Sequence, residues 1–205
     1  STNKNMLRVI AIQNGIGHIK KLKKISSGKL ILGNISNVSI SRSRNTYIHH
    51  SGKGCLNLDK KFQKDKYILD FLDNLKLENK FYDIKNLIWR KLVRLNVISL
   101  VTSYKFRKLG DVLKKENARN ELIQLLKETL DVAKADGYIT EFDEELKIIE
   151  SLPNDFRSSM SLDLKKKKRT EIIDITGEII KIGKKNKVKC PKLEFFYKKI
   201  STQIS

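Results

Sequence analysis

Two spacings of hydrophobic residues divide the chain. Up to residue 58 most apolar positions fall in short runs or alternate with polar ones; from residue 64 on they recur at helical intervals. Residues 7–12 form one apolar run, Leu-Arg-Val-Ile-Ala-Ile, which predicts a buried parallel strand closed by a turn at Asn14-Gly15. Residues 18–25 have helical spacing with lysines on the outside. Residues 30–58 read as β structure: a strand over 30–32 ending at Gly33, two alternating segments over 37–41 and 46–50 that predict an antiparallel hairpin, a tight turn at Gly52-Lys53-Gly54, and a short strand over 55–58.

Beyond that point the pattern is helical. Tyr67, Ile68, Phe71, Leu72 and Leu75 mark an amphipathic helix within 64–77, and 79–83 reads as a loop. Residues 86–104 are mostly apolar with a polar stripe, on which Lys91, Leu95 and Ser99, spaced by four, share one face. Residues 117–135 place Leu122, Leu125, Leu126, Leu130 and Ala133 on one stripe and stop before Gly137. Thr140-x-x-Asp143 resembles a capping signal for a helix through Ile149. A further helix is predicted over 170–185. Pro191 suits the first turn of a last helix ending near Ile200.

Composition narrows the class. At 205 residues, 40% of them hydrophobic, the chain can bury a real core as one domain or two small ones. It has no apolar run of about 18 residues that would span a membrane, and its polar start is unlike a signal peptide. Cys55 and Cys190 lie far apart without CxxC spacing, which speaks against a disulfide framework and a zinc site and for a reducing cytoplasm. His49-His50 has no third ligand at metal spacing, so a structural strand histidine is the expectation and no metal is assigned. The net charge of +20 invites a polyanion. The lysines are spread widely, however, and a phosphate-bearing cofactor or an anionic substrate would use the same field. The eight lysines between 181 and 199 are read as a solvated face, and nucleic acid is not the expected partner.

The chemistry centres on residues 157–177. Here Ser158-Ser159-Met160 and Asp163 precede a basic loop, followed by Thr170-Glu171-Ile172 and Gly177. This order, with Trp89-Arg90-Lys91-Leu92 and with Gln13-Asn14-Gly15-Ile16-Gly17 near the start, resembles the ketopantoate reductase (2-dehydropantoate 2-reductase) family over nearly the whole chain. The resemblance implies a partial Rossmann-type α/β domain over 1–82, holding only its late strands and hairpin. An all-α helical domain over 83–205 would follow, for substrate binding and dimerisation.

The implied function is NADP-dependent reduction of a small 2-keto acid, 2-dehydropantoate, to pantoate in pantothenate biosynthesis. Lys91 would meet the keto oxygen and supply a proton. Glu171 would orient Lys91 or accept hydrogen bonds from substrate hydroxyls. Ser159 would bind the substrate carboxylate or a hydroxyl, with Ser99 and Asn96 as further substrate contacts. Asn14 and Gly15 would approach the nicotinamide end of the cofactor. From the residues alone, Lys91 could equally snorkel its amine to water, Asn14-Gly15 could be a plain turn, and Glu171 could be a first-turn acid facing a helix dipole.

Four departures qualify the resemblance. The family has Asp directly after the Ile matched by Ile172, where this chain has Ile173 with Asp174 one place on. The family places Asn four and eight residues after the lysine, where this chain has Leu95 and Ser99, with Asn96 about 100° around the helix. A third family Asn is Leu109 here. The Gly-x-Gly-x-x-Gly turn that holds a dinucleotide pyrophosphate is missing from the sequence. A natural short protein or a fragment with impaired activity is therefore expected. The alternative is a non-catalytic relative that assembles or binds a metabolite.

Overall fold

The computed structural model describes residues 8–26, 30–36, 38–43 and 46–203. These form two compact units. One takes in the described residues up to Gln13 and from His18 to Ile88; the other comprises Asn14–Gly17 and the described residues from Trp89 onward.

The first unit is built on a mixed four-stranded sheet. It contains β1 (Val9–Ala11), most of α1 (Gly17–Ile25), β2 (Leu30–Ser36), β3 (Ser39–Ser43), β4 (Thr46–Ser51), β5 (Cys55–Asp59), α2 (Lys66–Leu75) and β6 (Glu78–Tyr82). The sheet order is β1-β2-β5-β6, with β1 parallel to β2, β2 antiparallel to β5 and β5 parallel to β6; β3 and β4 pair as a separate hairpin. Ile31, Leu56 and Leu58 from the sheet pack with Ile68 and Leu72 from the apolar stripe of α2. Asp65 caps α2, its carboxylate accepting the amides of Tyr67 and Ile68 at 3.1 and 3.4 Å and pairing with Arg8.

Two expectations change here. The strand from Leu30 does not stop at Gly33 but runs to Ser36, because Gly33 to Ser36 pair with Leu58 to Cys55. Residues 79–83, expected as a loop, lie mostly in β6, in register with β5 from Cys55↔Glu78 to Asp59↔Tyr82. Glu, Asn and Lys are weak strand formers, so this strand is imposed by its neighbour rather than by local preference. The side chains of His49 and His50, on β4, lie outside the described residues.

The second unit is helical. It comprises α3 from Trp89 on (Ile84–Ser103 in full), α4 (Leu109–Lys114), α5 (Glu116–Ala135), α6 (Phe142–Glu150), α7 (Ser159–Lys165), a π-helical segment (Ile173–Gly177), α8 (Glu178–Lys185) and α9 (Pro191–Ser201). Helix α3 is apolar nearly all round, as a central helix must be. Trp89, Leu92, Val93, Val97, Leu100 and Val101 are all buried and join one core with Leu122, Leu125 and Leu126 of α5 and Leu193, Phe196 and Ile200 of α9. Several polar groups inside this core are paired across elements. Asn96 donates to Thr129 Oγ1 at 3.0 Å and accepts from Thr176 Oγ1 at 2.7 Å. Trp89 Nε1 donates to Asp136 at 2.9 Å.

Helix α6 starts without the predicted cap. Glu141 is its N-cap and makes no side-chain capping bond, while the Thr140 hydroxyl instead donates to Glu145 Oε1 at 3.3 Å. Helix α9 is capped from a distance: Glu128 on α5 accepts the amides of Lys192 and Leu193 at 2.9 and 2.8 Å. A carboxylate on two unsatisfied amides at a helix N-terminus meets both a hydrogen-bond need and the helix dipole. Glu128→Ala is expected to cost about 1–2 kcal/mol of stability, read as a lower urea midpoint; an unchanged midpoint would show that water caps α9 equally well.

Among the described residues, no helix is long and apolar enough to cross a membrane. Cys55 and Cys190 are free and buried. Burial, helped by Glu194 and Glu128, pushes the Cys190 thiol up to about 11, so it is a packing residue rather than a nucleophile. Of the lysines between 181 and 199, all but Lys192 are exposed.

Candidate functional site

The candidate site is built by the helical unit from three separate stretches of chain. The first is the turn Asn14–Gly17, which packs against the π-helical segment. The Ile16 amide donates to the Asp174 carbonyl at 3.1 Å. In a regular α-helix that carbonyl would accept from Glu178; here the Glu178 amide bonds to Ile175 O instead, and the Gly177 amide reaches back to Ile172 O at 3.0 Å. The helix predicted to run unbroken over 170–185 therefore begins with a wider π turn. Such turns are frequent at functional sites.

The two glycines make this contact possible. Gly15 has φ +76°, and a Cβ there would lie 2.5 Å from the Asp174 carbonyl oxygen. A Cβ on Gly17 would lie 2.5 Å from Asp174 Oδ1 and 3.0 Å from its Cα. The clash at Gly15 is with backbone that cannot turn aside, and that at Gly17 is chiefly with the Asp174 side chain, so Gly-x-Gly here serves a close contact within the chain.

The second stretch is the turn before the π segment, which carries Glu171. Its carboxylate is exposed, and Asn14 Nδ2 donates to Oε2 at 3.4 Å. Thr170 beside it is buried, and among the described residues its hydroxyl has no hydrogen-bond partner.

The third stretch is α3, which presents Lys91. This lysine is half-buried. Burial lowers its pKa from the ordinary 10.5, and the Glu171 carboxylate pulls it part of the way back. Lys91 thus lies within electrostatic reach of Glu171, the acid that Asn14 also contacts. Between the lowered value and 10.5 the folded chain binds fewer protons than the unfolded chain, so the stability contributed through Lys91 rises with pH across that window.

If Glu171 offsets the desolvation, Glu171→Gln must lower the Lys91 pKa further. Titration followed by NMR on isotope-labelled lysine measures this, and an unchanged Lys91 pKa would show that the two groups are uncoupled.

The other expected site residues differ in exposure. Asn96 has no exposed surface, and both ends of its amide are bonded to Thr129 and Thr176; the α3 face it occupies points into the core, so the substrate contact expected of it does not hold. Ser99 is 1% exposed, which closes it to a ligand, although its hydroxyl has no partner among the described residues. Ser159 opens α7 and is exposed, while its neighbour Ser158 is the structural member of the pair. The Ser158 hydroxyl caps α7 by accepting the Ser161 amide at 3.1 Å and lies 2.9 Å from Thr102 Oγ1. Sequence reasoning missed Asp174, whose backbone receives the Asn14–Gly17 turn. The signal was present in the spacing of Gly15 and Gly17, but nothing local says which backbone the glycines admit.

Comparison with known proteins gives one family and a shared fold. Residues 83–203 match the family described as "Ketopantoate reductase PanE/ApbA C terminal". The dimeric ketopantoate reductase of Staphylococcus aureus shares the fold with a TM-score of 0.84 at 20% identity, over 96% of this chain and 68% of that one. A D-mandelate dehydrogenase, solved with NADH, gives 0.84 at 24% identity over 96% and 70%. The 2-dehydropantoate 2-reductase of Geobacter metallireducens gives 0.81 at 19% identity over 95% and 68%. No curated protein matches the chain by sequence. The family match covers more than half of the chain and includes both the helix of Lys91 and the turn of Glu171, and on it this chain belongs to the ketopantoate reductase family.

Proposed function

We propose that this chain binds a small 2-oxo acid at Lys91 and donates the proton when the acid's carbonyl is reduced. The reaction implied by the family is the NADP-dependent reduction of 2-dehydropantoate to pantoate. One observation carries the reading: a desolvated lysine amine facing Glu171, with Asn14 bonded to that acid. A lysine whose pKa is lowered gives up its proton more readily, and its charge favours an alkoxide forming at the carbonyl. Glu171 keeps the amine protonated until that moment. Ser159, exposed at the start of α7, is the proposed contact for the substrate carboxylate.

A nicotinamide dinucleotide would bring the hydride, but the residues present do not fit its pyrophosphate. The sequence has no Gly-x-Gly-x-x-Gly, and Gly15 and Gly17 are closed against Asp174. Asn14 and Gly15 would meet the nicotinamide end alone. What these residues supply is therefore acid binding and a proton. The same packing of Gly15 and Gly17 favours a second reading, a relative that binds an acid metabolite or assembles without hydride transfer. A second copy of the chain is the proposed macromolecular partner in either case, testable by sedimentation.

Calorimetry with pantoate tests the acid site. Lys91→Met is expected to weaken binding about tenfold or more, the scale of one charge-assisted hydrogen bond; unchanged binding would overturn the assignment of Lys91. The purified 205-residue chain is also expected to oxidise NADPH only slowly in the presence of 2-dehydropantoate. Rapid turnover would show that it holds the cofactor after all and would exclude the second reading.

A further inference from the structure

We propose that the acid accepted at Lys91 carries an apolar substituent beside its carbonyl and that Leu95 selects it. The proposal rests on the reading that Lys91 meets a 2-oxo acid. Along α3 the next side chain on the Lys91 face is Leu95, one turn on and about 5–6 Å away between Cβ atoms. Two polar groups nearby could have served a hydroxylated ligand, and both are withdrawn. Asn96 is fully buried and bonded at both ends of its amide, and Ser99 is 1% exposed. Leu95 differs from Leu92 and Val93, which are sealed in the core at 2% and 0% exposure. It packs against that core but is only partly buried. Beyond the lysine amine, α3 therefore offers a ligand hydrocarbon, in surroundings dry enough to lower the amine's pKa.

The size of the effect follows from how sites discriminate. A site built to bond a hydroxyl rejects the analogue lacking it by about 10⁴–10⁵-fold, whereas an apolar surface rejects an added hydroxyl by only about 10²-fold. The preference expected here is of the second kind. Two further polar groups, Glu171 and Asn14, are bonded to each other, so a ligand hydroxyl reaching them must displace an existing contact.

The test compares two acids that differ by one hydroxyl: 2-dehydropantoate and 3,3-dimethyl-2-oxobutanoate. Calorimetry on the full chain is expected to show the second binding about ten- to a hundredfold tighter. Leu95→Asn should remove that preference or reverse it, while Leu95→Met should keep it, with circular dichroism confirming that each variant folds. Equal or tighter binding of the hydroxylated acid by the unaltered chain would overturn the proposal and leave the role of Lys91 standing. If neither acid binds, the reading of Lys91 fails and the proposal falls with it. Should Leu95→Asn not fold, the comparison on the unaltered chain alone decides.

Discussion

Arg94→Met is expected to destabilise the helical unit by about 3–5 kcal/mol, the cost of stranding a buried charge. Arg94 on α3 holds the Glu145 carboxylate of α6 with two bonds, Nε to Oε2 at 2.5 Å and Nη2 to Oε1 at 3.2 Å. The Glu145 side chain is 1% exposed and that of Arg94 23%. Without the guanidinium, Glu145 would keep, among the described residues, only the Thr140 hydroxyl at 3.3 Å as a side-chain partner. The double variant Arg94→Met, Glu145→Leu should recover most of the loss, since a buried pair is often replaceable by apolar residues of similar volume. Urea unfolding of both variants gives the answer. A loss below about 1 kcal/mol for the single variant would mean that the pair behaves as a surface ion pair.

The second large effect is expected at Gly15→Ala. Its methyl group would lie 2.5 Å from the Asp174 carbonyl oxygen and 3.0 Å from the carbonyl carbon, on backbone that cannot turn aside like a side chain. The positive φ of 76° adds a conformational cost that glycine escapes. Together these amount to about 2–4 kcal/mol, against which the turn would lift from the π segment. That separation would break the Ile16 amide bond to Asp174 and draw Asn14 away from Glu171. Two readouts should therefore move together: a lower unfolding midpoint and altered NMR signals at Glu171. A stable variant with unchanged Glu171 signals would show that the close approach is not required.

The ion pair and the glycine turn mark where sequence reading reached its limit. Glu145 sits in the first turn of an amphipathic helix, where an acid is ordinarily a solvated dipole partner. Only the crossing of α3 and α6 turns it into a buried charge. Gly15 and Gly17 advertise a close approach, yet the partner lies some 160 residues along the chain. Asn96 shows the reverse case. Its position was legible to within one residue, but a helix carries side chains on every face, and only packing decided that this amide would meet Thr129 and Thr176 rather than a ligand.

By itself the sequence determined the elements that depend on periodicity: the helical stripes of α2, α3, α5 and α9, the β3–β4 hairpin, and the order of motifs that marks the family. These are set by spacings of a few residues, which a chain carries with it before it folds. The tertiary structure alone decided the strand β6, which exists because β5 supplies its hydrogen bonds, and the π turn at Ile173–Gly177, which exists where the Asp174 carbonyl meets another segment. It also decided how far Lys91 is desolvated and that the Glu171 carboxylate, 80 residues along the chain, lies near enough to raise its pKa in part. Desolvation is a property of the whole packed neighbourhood, and no local pattern along the chain states which amine will lose its water.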